Sequence, residues 1–239
     1  MLIGPQNSAA AGILAKNLQS LRREIAAAAR SADRSEDCVT LVAVSKGQAE
    51  SCIRAAAALG LRHFGESYLQ EALPKIEPLR TLELVWHFIG RIQANKTRAI
   101  AECFDWVHSL DRLSIAERLS AQRPHYAAPL QVCIQVNIDA EAGKAGTDPE
   151  GAVNLALAAH ALPQLRVRGL MCITRAGQGP AADRACFAAL RALRERINER
   201  GLALDTLSMG MSADFRDAIL EGATMIRIGT SLFGPRTSG

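Results

Sequence analysis

Val39-Thr40-Leu41-Val42-Ala43-Val44-Ser45-Lys46 has the composition of a buried strand, and it stops at a lysine. Val, Thr and Leu suit a pleated, packed surface. Gly47-Gln48 then turns polar ahead of an alanine-rich helical stretch. A strand running directly into a helix puts Lys46 at the strand's carboxyl end. In barrels of alternating strands and helices, that end carries the catalytic and binding side chains. An amine set among apolar strand residues is costly to keep charged, which favours the nucleophilic form that a Schiff base needs. On this strand alone, a surface lysine closing a strand is the simpler reading, and the rest of the chain has to decide.

Outward from this run the strand-helix pattern repeats. Ala9–Arg30 reads as an opening helix, with Leu14, Leu18, Leu21 and Ile25 on one face. After the first strand, Glu50–Leu59 is helical and Gly60 closes it. Further strands are expected at Arg62–Glu66, Glu83–Gly90, Trp106–Leu110, Pro129–Asn137, Leu165–Ile173, Leu204–Met209 and Thr224–Ile228. Helices are expected at Tyr68–Glu77, from Gln93, after Asp111 as a cap, from Asp148-Pro149-Glu150, around Cys186, Leu190, Leu193 and Ile197, and over Ser212–Leu220. Regular alternation implies parallel strands joined by helical crossovers. Eight such units imply an α/β fold in which one (β/α)8 TIM barrel domain, with an extra N-terminal helix, spans residues 1–239. An open doubly wound sheet is the alternative, but Lys46-Gly47-Gln48-Ala49 lacks its glycine-rich turn.

Composition excludes several function classes. Only 4% of the 239 residues are aromatic and the net charge is +4, with bases and acids interleaved along helices as in Arg194-Glu195-Arg196. That describes a solvated helix face, so no nucleic-acid partner is expected. The six cysteines form no C-x-x-C pair and no zinc-ligand spacing with the five histidines, so reduced thiols and no metal are expected. No signal-peptide core and no apolar run of roughly 18 residues is found, which predicts a cytoplasmic chain with no membrane partner.

The strand ends gather Lys46, Glu66, Ser67, His87, Asn137, Thr174, Ser208, Arg227, Gly229 and Thr230. Ser208-Met209-Gly210-Met211-Ser212 and Arg227-Ile228-Gly229-Thr230 are turns of small and hydroxyl residues after strands seven and eight, where this fold habitually binds phosphate. A phosphate site opposite a lysine suggests a phosphorylated carbonyl compound, either pyridoxal 5'-phosphate or the sugar phosphate of an aldolase. Arg227, beside the phosphate turn, favours pyridoxal phosphate, whose ring nitrogen takes a charged partner.

These blocks, together with Phe64-Gly65-Glu66, Trp86-His87-Phe88-Ile89-Gly90, Gln93-Ala94-Asn95-Lys96, Gln135-Val136-Asn137 and Arg168-Gly169-Leu170-Met171, closely resemble the pyridoxal phosphate homeostasis protein family, whose fold is that of the alanine racemase N-terminal barrel. The resemblance runs from about Ala9 to Arg236. It implies that Lys46 carries pyridoxal phosphate as a Schiff base, that Ser208, Ser212, Gly229 and Thr230 hold its phosphate, and that Arg227 faces its ring nitrogen. Ser67 and Met209 join the cofactor-binding set, Met209 and Met211 as pocket wall, and Lys144 matches a family lysine linked to receiving or releasing the cofactor. The chain departs from the family at Ser67, where Asn is usual, and at Gly47, where Thr is usual. His87 reads as a core histidine, and His63, His108, His125 and His160 as structural or exposed.

The function implied is intracellular homeostasis of pyridoxal phosphate, by buffering the cofactor or passing it to apo-enzymes, without catalytic residues and as a monomer. The alternative is an amino-acid racemase of the alanine racemase type. Racemisation needs an acid-base group on each face of the substrate carbon. Lys46 serves one face, the tyrosine-bearing second domain of that family is expected to be missing, and Tyr68 and Tyr126 are poorly placed to substitute.

Overall fold

The computed structural model describes residues 5–141 and 143–234. Eight parallel strands close into a barrel in chain order, each hydrogen-bonded to the next and the last to the first. They are β1 (Thr40–Val44), β2 (His63–Glu66), β3 (Val85–Phe88), β4 (Trp106–Leu110), β5 (Leu130–Gln135), β6 (Leu165–Met171), β7 (Thr206–Ser208) and β8 (Met225–Ile228). The helices are α1 (Pro5–Ser31), α2 (Glu50–Ala58), α3 (Leu69–Ile76), α4 (Thr97–Cys103), α5 (Leu113–Gln122), α6 (Pro149–His160), α7 (Pro180–Asn198), α8 (Phe215–Leu220) and α9 (Thr230–Phe233).

The two-residue period of the strands divides the buried residues into two compartments. Alternate residues such as Ala43, Phe64, Val107 and Leu170 pack outward against the helices in the main apolar core. The others point into the barrel, where Trp106, Cys133, Met171 and Met225 form a smaller cluster. Arg168 closes that interior from below, its guanidinium 5.2 Å from the centre of the Trp106 ring and hydrogen-bonded to Asp205 and Gln131. The extra helix α1 buries Leu14, Leu18, Leu21 and Ile25, the face its spacing predicts. Asn17 ties it to α9 by donating to the Leu232 carbonyl at 3.0 Å.

Most element ends are shorter than composition suggests, because apolar strand-like residues continue into the loops. Asp148 caps α6 as expected, accepting from the Gly151 N–H at 2.8 Å. Asp111 does not cap α5. Arg112 holds that position without a side-chain bond, and Asp111 accepts from Arg112 instead. The helix expected from Ser212 starts only at Phe215, since Asp214 accepts the Met211 N–H at 2.6 Å and shapes a turn first. Arg236, the last residue of the resemblance, lies outside the described residues. Among the described residues no helix is long and apolar enough to cross a membrane, and no group of three or more His, Cys, Asp or Glu could hold a metal ion.

Candidate functional site

A cavity of about 330 Å³ opens at the carboxyl ends of the strands. Lys46, Ser67, Met211, Ser212, Arg227, Gly229 and Thr230 line it, with Val44, Ile89 and Ile173 as apolar walls and Gln48, Ala213 and Gly234 at its edge. The lysine after β1, the hydroxyl-bearing turns after β7 and β8, and Arg227 on β8 are thus brought together. Gly47 bends the chain directly after the lysine through a left-handed backbone (φ 72°), and its N–H donates to Glu71 of α3 at 2.9 Å.

Glu66, expected at the pocket, is turned away from it. Ser45, just past β1, and Glu66, the last residue of β2, point outward, and Ser45 Oγ donates to Glu66 Oε1 at 2.7 Å. Lys75 of α3 reaches the same oxygen at 2.9 Å and the Ser45 carbonyl at 3.0 Å. Burial raises the Glu66 pKa against the pull of Lys75 and Ser45. This buried pair braces the backbone just before Lys46.

Arg227 is 4% exposed. Its Nη1 donates to Ser208 Oγ at 2.7 Å and its Nη2 to the Cys172 carbonyl at 2.9 Å, and it forms no ion pair among the described residues. Burial lowers its pKa. Cys172 and Cys133 are thiols held protonated, Cys172 by its bond to Cys186 and by burial, Cys133 by burial to about 12. At neutral pH that leaves Asp214 as the carboxylate favouring the cation. Asp214 is fixed by Thr174, whose hydroxyl donates to it at 2.9 Å.

Ser208 and Met209 are fully buried and are not among the residues lining the cavity. Met209 packs in the main core. The Ser208 hydroxyl is shared between Arg227 and His108 Nδ1, 2.7 Å away. His108 Nε2 lies 2.8 Å from His87 Nδ1, and His87 Nε2 lies 2.9 Å from His63 Nδ1. Three histidines that read as unrelated in sequence therefore form one line inside the barrel. Burial lowers the pKa of each, His108 to about 3.

The two turns meet where Ser231 N–H donates to Ser212 Oγ at 3.4 Å. The turn after β7 depends on Gly210, which has φ 92° and whose added Cβ would stand 2.6 Å from Ala218 Cβ. The Gly210 carbonyl accepts the backbone N–H of Arg227 at 3.0 Å, joining the turn to β8. Asn137 folds the following loop by bonding both ways with the backbone of Glu141. Lys144 in that loop lies 3.4 Å from Glu141 and 3.8 Å from Asp139, and is not part of the cavity lining. Ala142, in the same loop, is outside the described residues. Tyr68 and Tyr126, 59% and 83% exposed, do not line the cavity either.

A buried cation, an amine and three hydroxyl residues around an apolar-walled cavity fit a small aromatic anion that carries an electrophilic carbon. Residues 16–237 match the family described as alanine racemase, N-terminal domain. A pyridoxal phosphate homeostasis protein of Pseudomonas aeruginosa is 54% identical over 226 residues, which are 95% of this chain and 97% of the relative. The structure of PipY of Synechococcus elongatus PCC7942 with PLP bound is 38% identical and superposes with a TM-score of 0.81 over 92% of this chain and 100% of that one. Alanine racemase from Corynebacterium glutamicum, 19% identical, shares the fold with a TM-score of 0.69 over 95% of this chain and 62% of the enzyme.

Proposed function

We propose a function from one premise: this chain belongs to the family of pyridoxal phosphate homeostasis proteins, built on the alanine racemase N-terminal fold. The protein binds pyridoxal 5'-phosphate and serves its homeostasis; it is a binding protein rather than an enzyme. The observation that carries the site assignment is the convergence of Lys46, Arg227, Ser212 and Thr230 on one cavity. When bound, the cofactor brings an aldehyde that condenses reversibly with an amine, and a phosphate that anchors it.

Lys46 would present its amine from the end of β1 and hold the cofactor covalently through Nζ. Ser212 and Thr230 would donate hydroxyl hydrogen bonds to the phosphate, with Gly229 leaving room for it. Val44, Ile89 and Ile173 would flank the ring and keep water from it. Arg227 would face the ring nitrogen as a donor. A guanidinium keeps its own protons, so it leaves that nitrogen unprotonated and the ring a weak electron sink. This favours reversible capture over carbanion chemistry. Ser208 and Met209 would act from behind, Ser208 by holding Arg227. Ser67 lines the cavity and would contact the cofactor through its hydroxyl. Buffering the cofactor, or handing it to apo-enzymes, is the reading we take from the relatives' name.

The test is to load the protein with pyridoxal phosphate, reduce it with borohydride and map the label by mass spectrometry. A label on Lys46 alone is expected. A label elsewhere, or no uptake, would overturn the assignment.

A further inference from the structure

We propose that His63, His87 and His108 form a one-way hydrogen-bond line that fixes the Ser208 hydroxyl and thereby positions Arg227 at the cavity. The proposal rests on the functional reading above only for what Arg227 faces. The line itself stands on geometry.

Its direction follows from the donor count. Arg227 has N–H groups only, so at 2.7 Å Ser208 Oγ must be the acceptor. The hydroxyl proton of Ser208 then needs an acceptor of its own in a fully buried place. Among the described residues its remaining partner is His108 Nδ1 at 2.7 Å. If His108 donated instead, Ser208 would accept twice and its own proton would be left buried without a partner, a penalised arrangement. So His108 Nδ1 accepts and its proton is on Nε2. That proton is donated to His87 Nδ1, which puts the His87 proton on Nε2, and this in turn is donated to His63 Nδ1. His63 then carries its proton on Nε2, at the amino-terminal mouth of the barrel, where it borders a pocket with Arg62, Thr40 and Asp37. Every ring is neutral, each link has one donor and one acceptor, and the positive charge stays on Arg227.

The barrel supplies the path through its stagger. His63 pairs with Val85 and His87 with Trp106, so each next histidine, two residues further along its strand, stands one step higher in the barrel. The Trp106 ring stacks on His87 at 5.6 Å and holds the middle of the line. At the upper end, the Ser208 hydroxyl, its proton directed at His108, turns a lone pair toward Nη1. With Nη2 held on Cys172, the guanidinium plane is fixed. His108 is by this account a positioning residue.

The experiment uses cofactor-free protein labelled with 15N-histidine and long-range proton-nitrogen correlation spectra at neutral pH. His63, His87 and His108 are expected as neutral rings protonated on Nε2. An Nδ1-protonated or charged ring at any of the three positions would overturn the direction of the line. In the second arm Ser208→Ala is loaded with pyridoxal phosphate. A shift of the bound cofactor's absorption maximum, with loss of the single tautomer at His108, is expected; an unmoved band and tautomer would overturn the positioning role. Should that variant not fold, the wild-type spectra still decide. Should the wild type take up no pyridoxal phosphate, the functional reading fails while the tautomer result stands on its own.

Discussion

Thr230 and Ser212 reach the cavity from different turns, one after β8 and one after β7. A hydrogen bond to a charged group contributes about 1.5–3 kcal/mol. Thr230→Ala and Ser212→Ala are therefore each expected to weaken pyridoxal phosphate binding roughly ten- to a hundredfold. An absorbance titration measures this, and unchanged affinity in both variants would place the phosphate elsewhere. These two residues and Lys46 were legible in the sequence because each is polar and follows an apolar strand closely, and Arg227 because it is a lone charge within one. Glu66 and Ser208 satisfy the same description and yet do not line the cavity. Glu66 is one position out of phase and faces the helices, while Ser208 points inward but lies below Arg227. The apolar walls Val44, Ile89 and Ile173 carry no sequence signal, because an apolar strand end looks the same whether it meets core or ligand.

At the scale of elements, the turn between β7 and α8 carries the site's geometry, and Gly210 is its hinge point. Alanine there would need a left-handed backbone, costing about 1–2 kcal/mol. It would also bring its Cβ against Ala218, and overpacking of that kind costs about 1–3 kcal/mol. Gly210→Ala is expected to lower stability by about 2–5 kcal/mol in urea unfolding and to weaken cofactor binding as well, because the Gly210 carbonyl holds the Arg227 backbone. A loss under about 0.5 kcal/mol, the range of ordinary surface changes, would show that the turn adapts freely. Existence and order of the elements could be read from alternation, whereas their ends could not. Ser212 looks like a helix start by composition, but the Asp214 carboxylate takes the Met211 N–H and delays α8 to Phe215. Asp111 looks like a cap, but Arg112 captures it.

Pairing of consecutive strands is what makes the three histidines neighbours, since they are separated by 24 and 21 positions in sequence. No local pattern could join them, and only the register of β2, β3 and β4 does. Their burial gives the whole molecule a pH dependence. His87 and His108 are fully buried with pKa values held below the ordinary 6.5, His108 at about 3. Between the depressed and ordinary values the unfolded chain binds more protons than the native one. The stabilisation is therefore complete above about 6.5 and is lost as pH falls below it, approaching about 1.4 kcal/mol per pH unit for each histidine. Glu66 acts in the opposite sense, because burial raises its pKa, and across its window stability increases as pH falls. The two fully buried histidines set a limiting slope of about 2.7 kcal/mol per unit, to which His63, also lowered by burial, adds, and the Glu66 carboxyl reduces it where the windows overlap. Urea unfolding followed from neutral pH to about one unit below the ordinary histidine value should show stability falling steadily with acid. His108→Asn should remove up to about 1.4 kcal/mol per pH unit of that slope, even where it lowers stability throughout. A slope that is flat in the wild type, or identical in the variant, would mean that these rings are not held neutral in the native barrel.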